Sequence, residues 1–179
     1  DSIAGTNSGT VTNSGSIVAT VDGIHVTGEN AVTTGIVTNS GTIDAGDDGI
    51  QVYTNSGSIG NSGTILAKAD GIYAATNSST GLIANSGSIG SNVAGVVTRV
   101  GDNGIEVYFN NAGAITNNPG ASIYATDAGI VVGNINSAAI TNSGTITNFG
   151  TIDVSAGPGI KNVGANTGTI ENAIAGTIL

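Results

Sequence analysis

Aliphatic residues along this chain come in pairs two positions apart, with one other residue between them. Ile24-His25-Val26, Ile50-Gln51-Val52, Ile72-Tyr73-Ala74, Ile105-Glu106-Val107 and Ile130-Val131-Val132 all follow this rule, each directly after a glycine. Side chains alternate across a strand, so the spacing predicts short strands with these aliphatics inward and His25, Gln51, Tyr73, Glu106, Val131 and Lys161 outward. Helix is excluded, because Gly and Asn recur too often.

A second phrase, Asn-Ser-Gly-[Thr/Ser]-[Ile/Val], starts at Asn7, Asn13, Asn39, Asn55, Asn61, Asn85 and Asn142, with looser copies at Asn111, Asn148 and Asn166. Glycines mark a six-then-eight step: Gly9, Gly15, Gly23; Gly35, Gly41, Gly49; Gly57, Gly63, Gly71; Gly81, Gly87, Gly95. A repeat of this size predicts an all-β fold, a single-stranded parallel β-helix (β-solenoid) of about seven coils, roughly 22–26 residues and three short strands each. One β-solenoid domain then spans residues 1–179, as a whole or as a segment of a longer array. The later half is less regular. An extra Gly-Ile phrase at Gly104 is expected to lengthen one coil, and Ala138 stands where a corner glycine is expected in Asn136-Ser137-Ala138-Ala139-Ile140.

Corners between short strands call for positive φ, which Gly adopts without steric cost, so Gly15, Gly23, Gly41, Gly49, Gly63, Gly71, Gly87 and Gly95 are the expected corner residues. Asn13, Asn39, Asn61 and Asn85 share the parity of the inward Ile four residues later. They are expected to stack as an internal amide ladder, each satisfied by its copies about 4.8 Å away.

Composition narrows the function. Charged residues are only 8% of the chain and aromatics 3%, while 39% are hydrophobic, so the chain folds around Ile, Val, Leu and Ala. The net charge of −9, with Lys68, Arg99 and Lys161 far apart, excludes nucleic acid and anionic membrane surfaces as partners. The absence of Cys removes disulfides, thiolate metal sites and cysteine nucleophiles. No apolar run reaches the ~20 residues needed to span a bilayer, so no membrane insertion of this segment is expected. The opening residues lack the layout of a secretory signal, so an exported form would be processed or an excerpt.

Three candidate chemistries are open to these residues. Asp47-Asp48, with Asp22 one coil away, is similar to the Gly-Asp-Asp motif of β-helix glycoside hydrolases that attack pectin-like polymers, which would give these carboxylates acid and base roles. The Gly-His-Gly and Arg-x-Lys parts of that pattern are missing: His25 lies between Ile24 and Val26, and Arg99 stands alone. Calcium could be held by Asp22, Asp44, Asp47, Asp48 and Asp70 along one edge, but the nine-residue calcium repeat is absent, and the acids read as turn formers before Gly. His25 has no second His or Cys to join it at a metal. Third, Ser16, Thr42, Thr64, Ser88 and Thr151 form an outward hydroxyl row, broken by Ala121, that resembles an ice-binding surface.

Asn-Ser-Gly-Thr-Ile alternating with Gly-Ile-x-Val over nearly the whole chain resembles the passenger regions of bacterial autotransporters and related surface adhesins. That resemblance implies a right-handed parallel β-helix on the outer cell surface, Cys-poor and often adhesive. The chain starts and stops inside repeat phrases, with no evident cap. It is therefore expected to be an excerpt of a longer column or a subunit that stacks end to end into a filament. The reading is a non-catalytic extracellular structural or adhesive solenoid with no cofactor, no metal, and itself or surface glycans and proteins as partners. The runner-up is a polysaccharide hydrolase.

Overall fold

In the computed structural model, residues 2–133 and 140–179 are described; the expected corner substitution at Ala138 lies outside them. The fold is all-β, a solenoid of about seven turns whose strands form three seven-stranded parallel sheets. The first face stacks Ser2–Ile3, Ile24–Asn30, Ile50–Asn55, Ile72–Asn77, Ile105–Val107, Ile130–Val132 and Ile160–Asn162. The second runs from Thr10–Asn13 to Thr169–Asn172, and the third from Ser16–Ala19 to Thr177–Ile178. Each coil contributes one strand to each face.

Register is like-on-like. Ile24, Ile50, Ile72, Ile105, Ile130 and Ile160 pair in sequence on the first face, as Ile43, Ile65, Ile89, Ile123 and Ile152 do on the third. Val37, Ile59, Ile83, Ile115 and Ile146 form the second-face column. All but Ile160 are buried, and the core is aliphatic throughout. Each fully buried Ile contributes about 2 kcal/mol of hydrophobic stabilisation. Because the side-chain period is two, a one-residue slip of any strand would turn these columns to water, which fixes the register.

The corner glycines work differently from the sequence expectation. Positive φ occurs at Gly5, Gly90, Gly95, Gly120 and Gly133, so among the eight expected corner residues only Gly95 has it. Gly23, Gly41, Gly49, Gly63, Gly71 and Gly87 are glycine because coils approach too closely for a side chain, whereas a Cβ on Gly15 would meet nothing within 4 Å. A Cβ on Gly23 would lie 2.6 Å from the Gly49 carbonyl oxygen, and one on Gly71 2.6 Å from that of Gly104. At Gly41, Gly63 and Gly87 the clash would be with the carbonyl of Gly15, Gly41 and Gly63 respectively. Gly95 is not a solenoid corner at all. It sits with φ +86° near the tip of an antiparallel hairpin, Ser91–Val93 against Val96–Thr98, that leaves the third face after Gly90 and rejoins it at Val100.

That hairpin also corrects the origin of the longer coils. Equivalent asparagines on one ladder are 26, 22, 24, 32, 31 and 24 residues apart, so two coils exceed the expected length. Gly104 is a regular corner, stacked between Gly71 and Gly129, whose carbonyls continue the same run of backbone hydrogen bonds. The extra residues of the first long coil belong to the hairpin.

Gly63→Ala is therefore expected to cost at least about 3 kcal/mol or to abolish folding, because backbone rather than a flexible side chain blocks the added methyl. Gly95→Ala, in open space, should cost only about 1 kcal/mol for its positive φ. Urea unfolding followed by circular dichroism separates the two; equal costs would show that close coil stacking does not select the corner glycines.

Candidate functional site

Three columns of polar side chains run along the solenoid, and each residue's place in them follows from its strand. Asn13, Asn39, Asn61 and Asn85 end their second-face strands pointing inward, and the ladder continues through Asn117, Asn148 and Asn172. Each Nδ2 donates to the next Oδ1, at 2.8 Å for Asn13 to Asn39 and 2.9 Å for Asn39 to Asn61 and Asn61 to Asn85. The second N–H reaches a strand carbonyl of the next coil, as from Asn13 to Thr42 at 3.1 Å. Oδ1 also takes the amide of the residue two further on, Gly15 for Asn13.

A second ladder ends the first-face strands: Asn7, Asn30, Asn55, Asn77, Asn111, Asn142 and Asn166, linked at 2.7–2.9 Å. Its signal was in the sequence, since Asn7, Asn55 and Asn142 open the same Asn-Ser-Gly phrase six residues before a member of the first ladder.

The third column is acidic and occupies the corner before the first face. Asp22 Oδ1 accepts the Asp48 amide at 3.2 Å, Asp48 Oδ1 the Asp70 amide at 3.0 Å, and Asp70 Oδ1 the Asn103 amide at 2.8 Å. At three of the four positions, Asp22, Asp48 and Asn103, the outward residue three further on bonds to the side chain. His25 Nδ1 lies 2.8 Å from Asp22 Oδ2, Gln51 Nε2 donates to Asp48 Oδ2 at 2.9 Å, and Asn103 Nδ2 donates to Glu106 Oε2 at 2.8 Å. The three-residue offset repeats in the sequence and could have revealed these pairs.

Of the sequence-proposed carboxylates, Asp22, Asp48 and Asp70 are thus brought together, with Asp47 exposed beside them. Asp44 is not on that edge: it faces outward on the third face between Val18 and Leu66. Ala121 does not break the hydroxyl row. Ser122 occupies the register position, giving an unbroken file of Ser16, Thr42, Thr64, Ser88, Ser122, Thr151 and Thr177. The adjacent outward file holds Val18, Asp44, Leu66, Tyr124 and Asp153, with no second row of hydroxyls.

Electrostatics follow burial. Burial and, next, the neighbouring Glu106 push the Asp70 carboxyl up to about 9. Burial raises Asp48 to about 6 against the hydrogen bonds from Gln51 and the Asp70 amide. Asp102 is also raised, by burial and then Asp127. Burial and Glu106 push the Tyr73 hydroxyl up to about 12. Asp102, Asn103, Glu106, Asp127, Val131 and Lys161 line an open cleft of about 380 Å³. Oxygens of Asp70, Asp102 and Glu106 lie within 4.8 Å of one another, the donor type a hard cation takes.

Comparison with protein-family models, with curated proteins and with solved structures finds no match to this chain.

The acidic column makes stability depend on pH. Asp48 and Asp70 titrate near 6 and 9 when folded, both above the ~3.9 of an unfolded Asp, so between those limits the folded state binds more protons and stability falls as pH rises. The melting temperature should drop by several degrees from pH 5 to pH 9. Asp70→Asn, which imitates Asn103 by keeping the amide acceptor and adding a donor toward Glu106, should flatten most of that slope and stabilise the protein at high pH. A melting temperature that climbs with pH would refute the account.

Proposed function

We propose that this chain is a non-catalytic structural column of a bacterial outer surface or extracellular assembly, serving as a rigid spacer or as the repeating part of a filament. The observation that carries this reading is where the repeated polar residues are spent. Both asparagine ladders and the Asp22-Asp48-Asp70 column bond along the axis, coil to coil, while the outward positions of the first face change chemistry at every turn. A chain whose recurring inward and corner residues hold neighbouring turns together is built to be stiff and extensible by repetition.

The carboxylates that a hydrolase would use support the same reading. Both oxygens of Asp22 and of Asp48 are engaged inside the column, and Asp47 stands alone at the surface. General acid and base roles call for groups converging on a substrate site. The resemblance of the repeats to autotransporter passengers supports a surface location.

Two measurements test the proposal. Pulled by its ends in a force experiment, the column should yield coil by coil, with steps matching the 22 to 34 residues between ladder neighbours. A smooth extension at low force would count against a rigid spacer. Incubated with polygalacturonate, the protein should release no new reducing ends, and Asp48→Asn should change nothing; cleavage lost in that variant would make the chain an enzyme.

A further inference from the structure

Four of the six aromatic residues of the chain, Tyr53, Tyr73, Tyr108 and Phe109, gather on or beside the first face in three consecutive coils. Tyr73 sits outward in register between Gln51 and Glu106. Its ring centroid is 6.1 Å from that of Tyr108, which meets Phe109 edge to face at 4.8 Å. Tyr53, outward by parity with Gln51, is 61% exposed. Tyr53 and Tyr73, with His25, Thr27 and Gln51, enclose a recess of about 220 Å³.

Folding does not account for this grouping. Among the described residues the buried core contains no aromatic side chain, and Ile, Val and Ala fill the inward apolar columns beside the asparagine ladders. The hydroxyls of Tyr53, Tyr73 and Tyr108 make no hydrogen bond within the described chain, so three donors stand ready beside flat apolar rings. Successive coils rise by about 4.8 Å, close to the advance of one sugar residue in an extended β-linked chain. Rings on neighbouring coils can therefore meet neighbouring sugars.

Charge selects among sugars. Asp22 and Asp48 hold His25 and Gln51 of this strip, Glu106 follows Tyr73 in the same outward column, and the chain carries a net charge of −9. That field repels uronic and sulfated polymers and attracts ammonium groups, which the negative faces of tyrosine rings also favour. The nearest cation on this face is Lys161, two coils beyond Glu106. The side chains of His25, Thr27 and Gln51 add polar contacts that suit a hydroxyl-rich ligand rather than a lysine side chain.

We propose that the Tyr53–Tyr73–Tyr108 strip binds an extended polysaccharide bearing free amino groups, of the glucosamine type, laid along the column with its sugar faces on the rings and its ammonium groups toward the acidic corner. This goes beyond the structural role above: the column would be as rigid without the strip.

The chain has no Trp, so tyrosine fluorescence reports binding directly. The intact chain is titrated at mildly acidic pH, where the sugar amino groups carry their protons, with a β-1,4-linked glucosamine hexamer, its N-acetylated counterpart, a galacturonic acid hexamer and hexalysine. The glucosamine hexamer should bind saturably, the acetylated one about tenfold more weakly, and the uronic hexamer not at all. Tyr73→Ala should weaken binding about tenfold while Tyr124→Ala leaves it unchanged. If Tyr73→Ala does not fold, Tyr53→Ala, at an exposed position outside the core, carries the same expectation. Equal affinity for the neutral hexamer or for hexalysine, no saturable binding, or an equal loss in Tyr124→Ala would overturn the proposal.

Discussion

In a one-chain parallel stack every side chain is met, one strand spacing above and below, by its own counterpart in the next coil. The residue at each position must therefore be complementary to itself. Aliphatic groups satisfy this by packing. Asn satisfies it by hydrogen bonding, because a carboxamide carries a donor and an acceptor on opposite edges, and both ladders here are chains of Nδ2 to Oδ1 contacts at 2.7–2.9 Å. Glycine satisfies it at corners where only a hydrogen atom fits between one backbone and the next carbonyl.

A carboxylate fails the same test, and the acidic column shows how the fold copes. Stacked Asp residues would set acceptor against acceptor, so each aims Oδ1 at the backbone amide of the next coil, and Asp22 and Asp48 turn Oδ2 to His25 and Gln51. The unrelieved charge falls on the most buried unit, Asp70 beside Glu106, which holds its proton far above the usual carboxylate range. One coil further the position is Asn103, which gives Glu106 the donor that Asp70 could supply only by staying protonated.

Parallel strands, inward isoleucines and the first asparagine ladder were legible because strand parity is strict and the repeats are nearly identical. What was misread required the distance between coils, which a linear sequence does not contain. Gly41 and Gly63 were assigned to corners for the wrong reason: a turn angle was invoked where contact with a neighbouring carbonyl decides. Gly95 fits the glycine step only by spacing, since the intervening residues form a hairpin rather than a strand and corner. Ala121 looked like a gap in the hydroxyl row because two extra residues, Pro119 and Gly120, displace the strand start to Ser122.

The longer coils show what the axial constraint leaves unconstrained. Between Asn85 and Asn117 the chain departs into a hairpin, yet the ladder contact across that interval is 2.9 Å and Gly71, Gly104 and Gly129 stay in line. Only residues in the columns and at the stacked corners must match their neighbours; inserted segments and many outward positions contribute little to holding the turns together and are free to differ. A concentration of aromatic rings at such positions, in a chain whose interior uses none, needs a cause outside the folding energetics. The proposed strut rests on the self-matching interior, and the proposed aromatic strip on the freedom of the exterior.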